Sequence, residues 1–163
     1  MLYVYLTLFA AAIVALDQWT KALAAAQLAD AANVLIPGWL ELRYTTNDGM
    51  ALSMLSGARW LFVLVGVLFV ALVIWAIAKK HITKKPELWC VAAITGGAIG
   101  NLIDRVATGQ VIDMICVPWF STFNVADIFI TVPAIVLILY ILIFDREFLS
   151  DKPKKDASHD DPA

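Results

Sequence analysis

The chain has little charge for its length. Asp, Glu, Lys and Arg make up 16% of its 163 residues and 61% are apolar, against about 25% and roughly 45–50% in typical soluble chains. A water-soluble protein of this size could not hide so much apolar surface. There is no basic excess either: a net charge of -2 offers nucleic acid no electrostatic footing. Cysteine is scarce. Cys90 and Cys116 form no CxxC pair and suggest no disulfide framework. The two histidines, His81 and His159, sit in polar segments, and no HExxH-type spacing occurs, so neither a metal nor another cofactor is expected. GxSxG and SxxK are also missing, which leaves a Ser–Lys pairing of Ser53 or Ser56 with Lys21 without a motif behind it.

What the chain does have is long hydrophobic runs. Four stand out, at about 2–28, 60–78, 88–106 and 125–144. The first is interrupted by Asp17, Gln18 and Lys21, the second carries no charge, and the fourth holds Asp127 near its start. Each has about the 20 residues that a helix needs to cross roughly 30 Å of hydrocarbon. Helices are expected because backbone groups in lipid must pair internally. Ala24-Ala25-Ala26 resembles a signal-peptide cleavage site, but no basic stretch precedes the first run, and Asp17 and Lys21 lie inside it, so it reads as a span. Lys79, Lys80, Lys84 and Lys85 crowd the loop between the second and third runs, and Arg146, Lys152, Lys154 and Lys155 follow the fourth. The positive-inside rule then puts both termini in the cytoplasm, and the 29–59 and 107–124 connections outside. The fold expected is an all-α integral membrane bundle of four helices, a single domain over 1–149 with a polar, disordered cytoplasmic tail over 150–163.

The first outer connection has structure of its own. Leu40, Leu42 and Tyr44 alternate with Trp39, Glu41 and Arg43, a strand pattern. Asn47-Asp48-Gly49 is a turn signal, and Ala51 to Leu55 reads as a returning strand. A small outward-facing β-cradle over about 33–56 is expected between the first two helices.

Ionisable residues in or beside membrane helices are costly and usually mark function. Here they fall at the outer ends of the spans or in the outer loops. Asp17 and Lys21 are four apart and share a helical face; they form either a neutralised pair with Lys21 snorkelling to the headgroups or a brace for the outer end of the first helix. Asn47 in its turn can also donate hydrogen bonds to a substrate carbonyl. Gly96 and Gly100 have GxxxG spacing for close packing. Gly97, Asn101 and Asp104 share a face, and Asn101, Asp104 and Arg105 read as a supporting polar network rather than as direct chemistry. Asp127 falls where the positive end of the fourth helix stabilises an acid, with Asn124 as its N-cap.

Asp113 is a lone acid among apolar residues, joined to Asp127 by an outer loop. If the two converge, they cannot both ionise cheaply and must share a proton. One then deprotonates water while the other polarises a carbonyl, the acid/base division of aspartic proteases. Spacing alone does not establish the convergence. A proton- or ion-coupled transporter could use the same acids, but its polar residues would run through the membrane depth. A packing protein would explain the glycines alone.

DQWTK at 17–21, NDGMALS at 47–53, GGAIGNLIDR at 96–105, VIDMI at 111–115 and FNVAD at 123–127 together resemble the lipoprotein signal peptidase (signal peptidase II) family. The resemblance implies a bacterial cytoplasmic (inner) membrane endopeptidase. Its substrates would be prolipoproteins carrying diacylglycerol on the lipobox cysteine, cleaved on the amino side of that cysteine. It would act as a monomer among membrane lipids and be inhibited by globomycin-type cyclic peptides. Asp113 and Asp127 match the family's catalytic aspartates. Asp17, Lys21, Asn47, Gly49, Gly97, Asn101, Asp104, Arg105, Asn124 and Ala126 match its supporting or substrate-contacting positions. Met50, Leu52 and Met114 depart from the usual Ala, aromatic and Phe, which bears on pocket shape, and the stretch between Asp113 and Asp127 is short against some members of the family.

Overall fold

A computed structural model of the chain describes residues 1–49 and 57–144. Helices α1 (Leu2–Gln27), α2 (Arg59–Ala78), α3 (Lys85–Ala107) and α4 (Val125–Phe144) are the four apolar runs. All four are long and apolar enough to cross a membrane. At 1.5 Å per residue the 20-residue α2 and α4 span about 30 Å, the thickness of the hydrocarbon layer. Helix α2 buries no residue and α4 buries only Ala126. Surfaces of this kind would be an aggregation hazard in water and are the natural face toward lipid. The chain is a multi-pass membrane protein.

Helix α3 is the centre of the bundle, and small residues on its two sides set how closely its neighbours approach. A Cβ on Gly96 would lie 2.9 Å from the Ala10 carbonyl oxygen of α1, and one on Gly100 2.5 Å from the Asp17 carboxylate. On the other side, a Cβ on Gly97 would meet the Ala126 carbonyl oxygen of α4 at 2.5 Å. The GxxxG pair therefore packs α1 and the glycine between them packs α4.

The sheet is more extensive than the sequence indicates. Strand β2 (Leu40–Asn47) is the strand expected in the first outer connection, and β1 (Asn33–Ile36), which no alternation marks, pairs with it within the expected cradle. The 107–124 connection, read from sequence only as a loop, supplies β3 (Val111–Val117) and β4 (Ser121–Phe123). The four form one antiparallel sheet in chain order. The returning strand expected at 51–55, the departures at Met50 and Leu52, and the 150–163 tail lie outside the described residues. The β1–β2 and β3–β4 turns bring Trp39 and Trp119 edge to face with ring centroids 5.6 Å apart. Both rings and Phe120 are exposed, aromatic character typical of a membrane–water boundary.

Register carries the sheet's consequence for the site. Asn47 pairs with Val111, so Asp113, two residues on, lies diagonally across on the same face, within reach of its side chain. Ile115 pairs with Phe123, so the β3–β4 hairpin returns the chain to Asn124 beside Asp113. The separation of fourteen residues between Asp113 and Asp127 is closed by this hairpin.

Candidate active site

The site lies where the last turns of α1 and α3 meet the first turn of α4 and the sheet. Its foundation is Lys21, whose side chain is 2% exposed. An ammonium has three donors and no acceptor, and each donor here has an acceptor. Nζ donates to Asp17 Oδ2 at 2.7 Å and to Asn101 Oδ1 at 3.0 Å, and forms an ion pair with Asp104 Oδ2 at 2.7 Å. The pairing with Asp17 expected from sequence is present; snorkelling is not. Lys21 stays inside because Asp104 and Asn101, from α3, supply what a headgroup would otherwise supply. Asp17 reaches the fourth helix as well, its Oδ1 accepting a hydrogen bond from the Ala126 backbone N–H at 2.9 Å. Ala126 thus contributes through its backbone, and its small side chain lets it sit fully buried against Gly97.

Gln18 was not picked out as a site residue from sequence. Its Nε2 donates to Asp104 Oδ1 at 2.9 Å and to the Gly100 carbonyl at 3.1 Å. The signal that could have found it is its place inside an apolar span next to Asp17. Phe62 was also missed: its ring lies under the Arg105 guanidinium at 4.9 Å.

From Lys21 the hydrogen bonds run outward to the two candidate carboxylates. The ammonium forces the Asn101 oxygen toward it, so the Asn101 amide nitrogen must point the other way, where it donates to Asp127 Oδ1 at 2.8 Å. Asn124 Nδ2 donates to Asn101 Oδ1 at 3.1 Å and to Asp113 Oδ1 at 2.8 Å. Asn124 and Asp127 also cap the helix reciprocally. The Asp127 N–H donates to Asn124 Oδ1 at 2.9 Å, and the Asn124 N–H to Asp127 Oδ2 at 3.1 Å, the two-way bonding of a capping box. The N-cap expected at Asn124 is present, and the same side chain holds Asp113.

From the sheet, Asn47 Nδ2 donates to Asp113 Oδ2 at 3.2 Å while its oxygen accepts from the Gly49 N–H at 3.0 Å. Arg105 donates to the Gly49 carbonyl at 3.2 Å and so fixes that turn from α3. Asn101 and Asp104 join the Lys21 cluster, and Arg105 serves the turn: the network expected of the three divides into two tasks.

Asp113 and Asp127 both line one cavity of about 790 Å³, together with Asn47, Gly49, Asn101 and Arg105. Each carboxylate accepts two hydrogen bonds from neutral N–H groups, which leaves about half of its lone pairs for whatever enters. Asp113 lies on β3, outside the helices, and is buried. That burial, with the negative charge of Asp127 next in weight, outweighs the Asn47 and Asn124 hydrogen bonds and pushes its carboxyl up to about 6 from an ordinary 3.8. Among the described residues, no three His, Cys, Asp or Glu side chains come together in a way that could hold a metal ion.

Comparison with known proteins agrees with this architecture. The family model described as signal peptidase (SPase) II matches residues 9–143. The lipoprotein signal peptidase of Symbiobacterium thermophilum is 39% identical over 140 residues, covering 82% of this chain and 91% of the relative. That of Listeria monocytogenes serotype 4a is 34% identical over 148 residues, covering 88% and 96%. Among solved structures, a bacterial membrane enzyme determined by the in meso method at 2.3 Å resolution superposes with a TM-score of 0.79 at 28% identity, covering 93% of each chain. A second, at 1.9 Å, gives 0.76 at 29% identity, covering 86% of this chain and 94% of that one. With the family matched along nearly all of the membrane-embedded chain, and relatives above 30% identity over most of their own length, this four-helix protein belongs to the signal peptidase II family, the lipoprotein signal peptidases.

Proposed function

We propose that this peptidase removes the signal peptides of diacylglyceryl-modified prolipoproteins by an aspartic mechanism, cleaving on the amino side of the lipidated cysteine. The observation that carries the reading is that Asp113 and Asp127 line one cavity and are tied to each other through Asn124. In this mechanism the two carboxylates share one proton. Burial makes Asp113 the favoured holder, so it donates a hydrogen bond to the scissile carbonyl oxygen. Ionised Asp127 takes a proton from a water whose oxygen attacks the carbonyl carbon. The tetrahedral intermediate collapses, the C–N bond breaks, and the proton held on Asp127 goes to the leaving amine. Asn101, Asn124 and Asn47 hold the carboxylates, and the Lys21 cluster holds Asn101.

The location suits the substrate. The cavity opens at the ends of α3 and α4, and a diacylated cysteine stays at the membrane surface. With lysine-rich 79–85 in the cytoplasm, this is the outer face of the bacterial inner membrane, both termini are inside, and 150–163 is a cytoplasmic tail to a single 1–149 domain. A monomer suffices, because both acids come from one chain. A globomycin-type cyclic peptide would act by filling the cavity.

The test is cleavage of a diacylglyceryl-modified prolipoprotein by the purified protein in detergent with a chelator present. The parent is expected to give the shortened product. Asp113→Asn and Asp127→Asn, checked for folding, are expected to lose at least about 10²-fold in rate. Near-parental cleavage by either variant would overturn the aspartic pair, and an inactive, well-folded parent would overturn the substrate.

A further inference from the structure

A second cavity, of about 630 Å³, opens at the opposite end of the molecule from the carboxylates. Helix α2 packs chiefly on α3 and leaves a groove between itself and α1, floored by α3. Leu6, Val73, Ile77, Val91 and Ile99 line it, and Lys80 stands at its mouth. Apart from that lysine its lining is apolar, with Tyr3, Thr7 and Thr95 the other side chains bearing polar atoms. The groove runs along α3 from Leu88 to Ile99, eleven steps of a helix or about 16 Å. That is close to half of a roughly 30 Å hydrocarbon core, the depth of one leaflet.

The mouth is positive. Lys79, Lys80, Lys84 and Lys85, on the α2–α3 connection and at its two ends, are all exposed, and the acid of that stretch, Glu87 in the first turn of α3, is buried. Among the described residues of this stretch, four cations against one carboxylate leave an excess of three. Lys80 is also the one described non-glycine residue with a positive φ, 61°; it ends α2 in the left-handed turn closed by the His81 N–H donating to the Ala76 carbonyl. His81 stacks on Trp75 at 5.0 Å beside it.

An apolar slot one leaflet deep, ending in a cluster of ammonium groups at headgroup level, matches one kind of molecule in both length and charge. We propose that the groove between α1 and α2 binds an anionic glycerophospholipid of the leaflet on the lysine side, an acyl chain lying along α3 and the phosphate meeting Lys79 and Lys80. The site is remote from Asp113 and Asp127, so it serves the stability or activity of the enzyme in anionic membranes and not the hydrolysis step.

The test uses the full chain, delipidated in detergent, with thermal unfolding followed as lipid is added and bound lipid counted by native mass spectrometry. The probes are dioleoyl phosphatidylglycerol, dioleoyl phosphatidylcholine and chain-free glycerophosphoglycerol. Phosphatidylglycerol is expected to raise the midpoint and to persist as one bound molecule, phosphatidylcholine to do so more weakly, and the free headgroup to do nothing. In the Lys79→Gln, Lys80→Gln double variant the preference for phosphatidylglycerol should fall by about fivefold for each charge removed. Ala92→Phe, which fills the groove, should lose both lipids; should that variant not fold, the lysine variant still decides. Equal effects of the two lipids on the parent, or an unchanged preference in the lysine variant, would overturn the proposal. Stabilisation by glycerophosphoglycerol alone would replace it with a surface anion site.

Discussion

At the scale of single residues the molecule turns on one cation and three asparagine amides. Lys21 answers two buried carboxylates, Asp17 and Asp104. Replacing it with methionine would leave both without a counter-charge in a low-dielectric setting. Lys21→Met is therefore expected to cost roughly 3–5 kcal/mol of stability, read as a lower unfolding midpoint in detergent; an unchanged midpoint would mean that solvent reaches the cluster. Asn47 offers a finer test. Its hydrogen bond favours the ionised form of Asp113 and pulls that carboxyl down from where burial would put it. Without it the proton is held to higher pH. Under the proposed division of roles, the alkaline limb of the rate–pH profile is expected to move to higher pH in Asn47→Ala; an upward move of the acid limb in its place would make Asp113 the base and reverse the two roles. Sequence spacing shows that Asp17 can reach Lys21. It cannot show whether Lys21 turns outward or inward, because that is decided by Asp104 and Asn101, eighty and more residues away.

At the scale of elements, the glycines of α3 decide distances that the chemistry depends on. A Cβ on Gly97 would press on the Ala126 carbonyl oxygen at 2.5 Å, one residue before Asp127, and backbone cannot move aside cheaply. Gly97→Ala is expected to shift α4 and lower cleavage by about 10²-fold, with the helical content by circular dichroism retained. Gly66 is the internal control. There an added Cβ meets only the flexible Leu102 side chain, at 3.3 Å, and Gly66→Ala should cleave at close to the parental rate. The helices were legible because uncharged runs of spanning length have few other readings, and β2 because its apolar and polar residues alternate. The β3–β4 hairpin was not. Val111 to Val117 is apolar on both faces, apart from Asp113, and so lacks the period of two that marks a half-exposed strand.

At the scale of the whole molecule, polarity is sorted to one end. Both carboxylates and the network behind them lie at the α3–α4 junction, and the lysines and the second groove at the other end. A membrane makes this asymmetry meaningful by giving the two ends different surroundings. With Cys90 and Cys116 replaced, Thr83→Cys is expected to react with an impermeant thiol reagent only from the cytoplasmic side, and Asp30→Cys only from the outside. The reverse pattern would invert the molecule. The spans, and the lysine bias on which the proposed orientation rests, could be read from the chain; the meeting of Asp113 with Asn124 could not, because it rests on strand register.

The Lys21 cluster also has a consequence for how the protein is made. A ribosome delivers α1 long before Asn101, the lysine's partner 80 residues further along, so a new first helix meets the bilayer with one of its two buried carboxylate partners still unmade. Its polar end has no reason to leave the interface until α3 arrives. Asp17 then waits again, for the Ala126 N–H at a separation of 109 residues. Assembly is thereby ordered from the first helix to the last, and a chain halted before Val125 would hold Asp113 without Asp127. Under the proposed mechanism, the newborn protein would have no hydrolytic pair until its final span was in place.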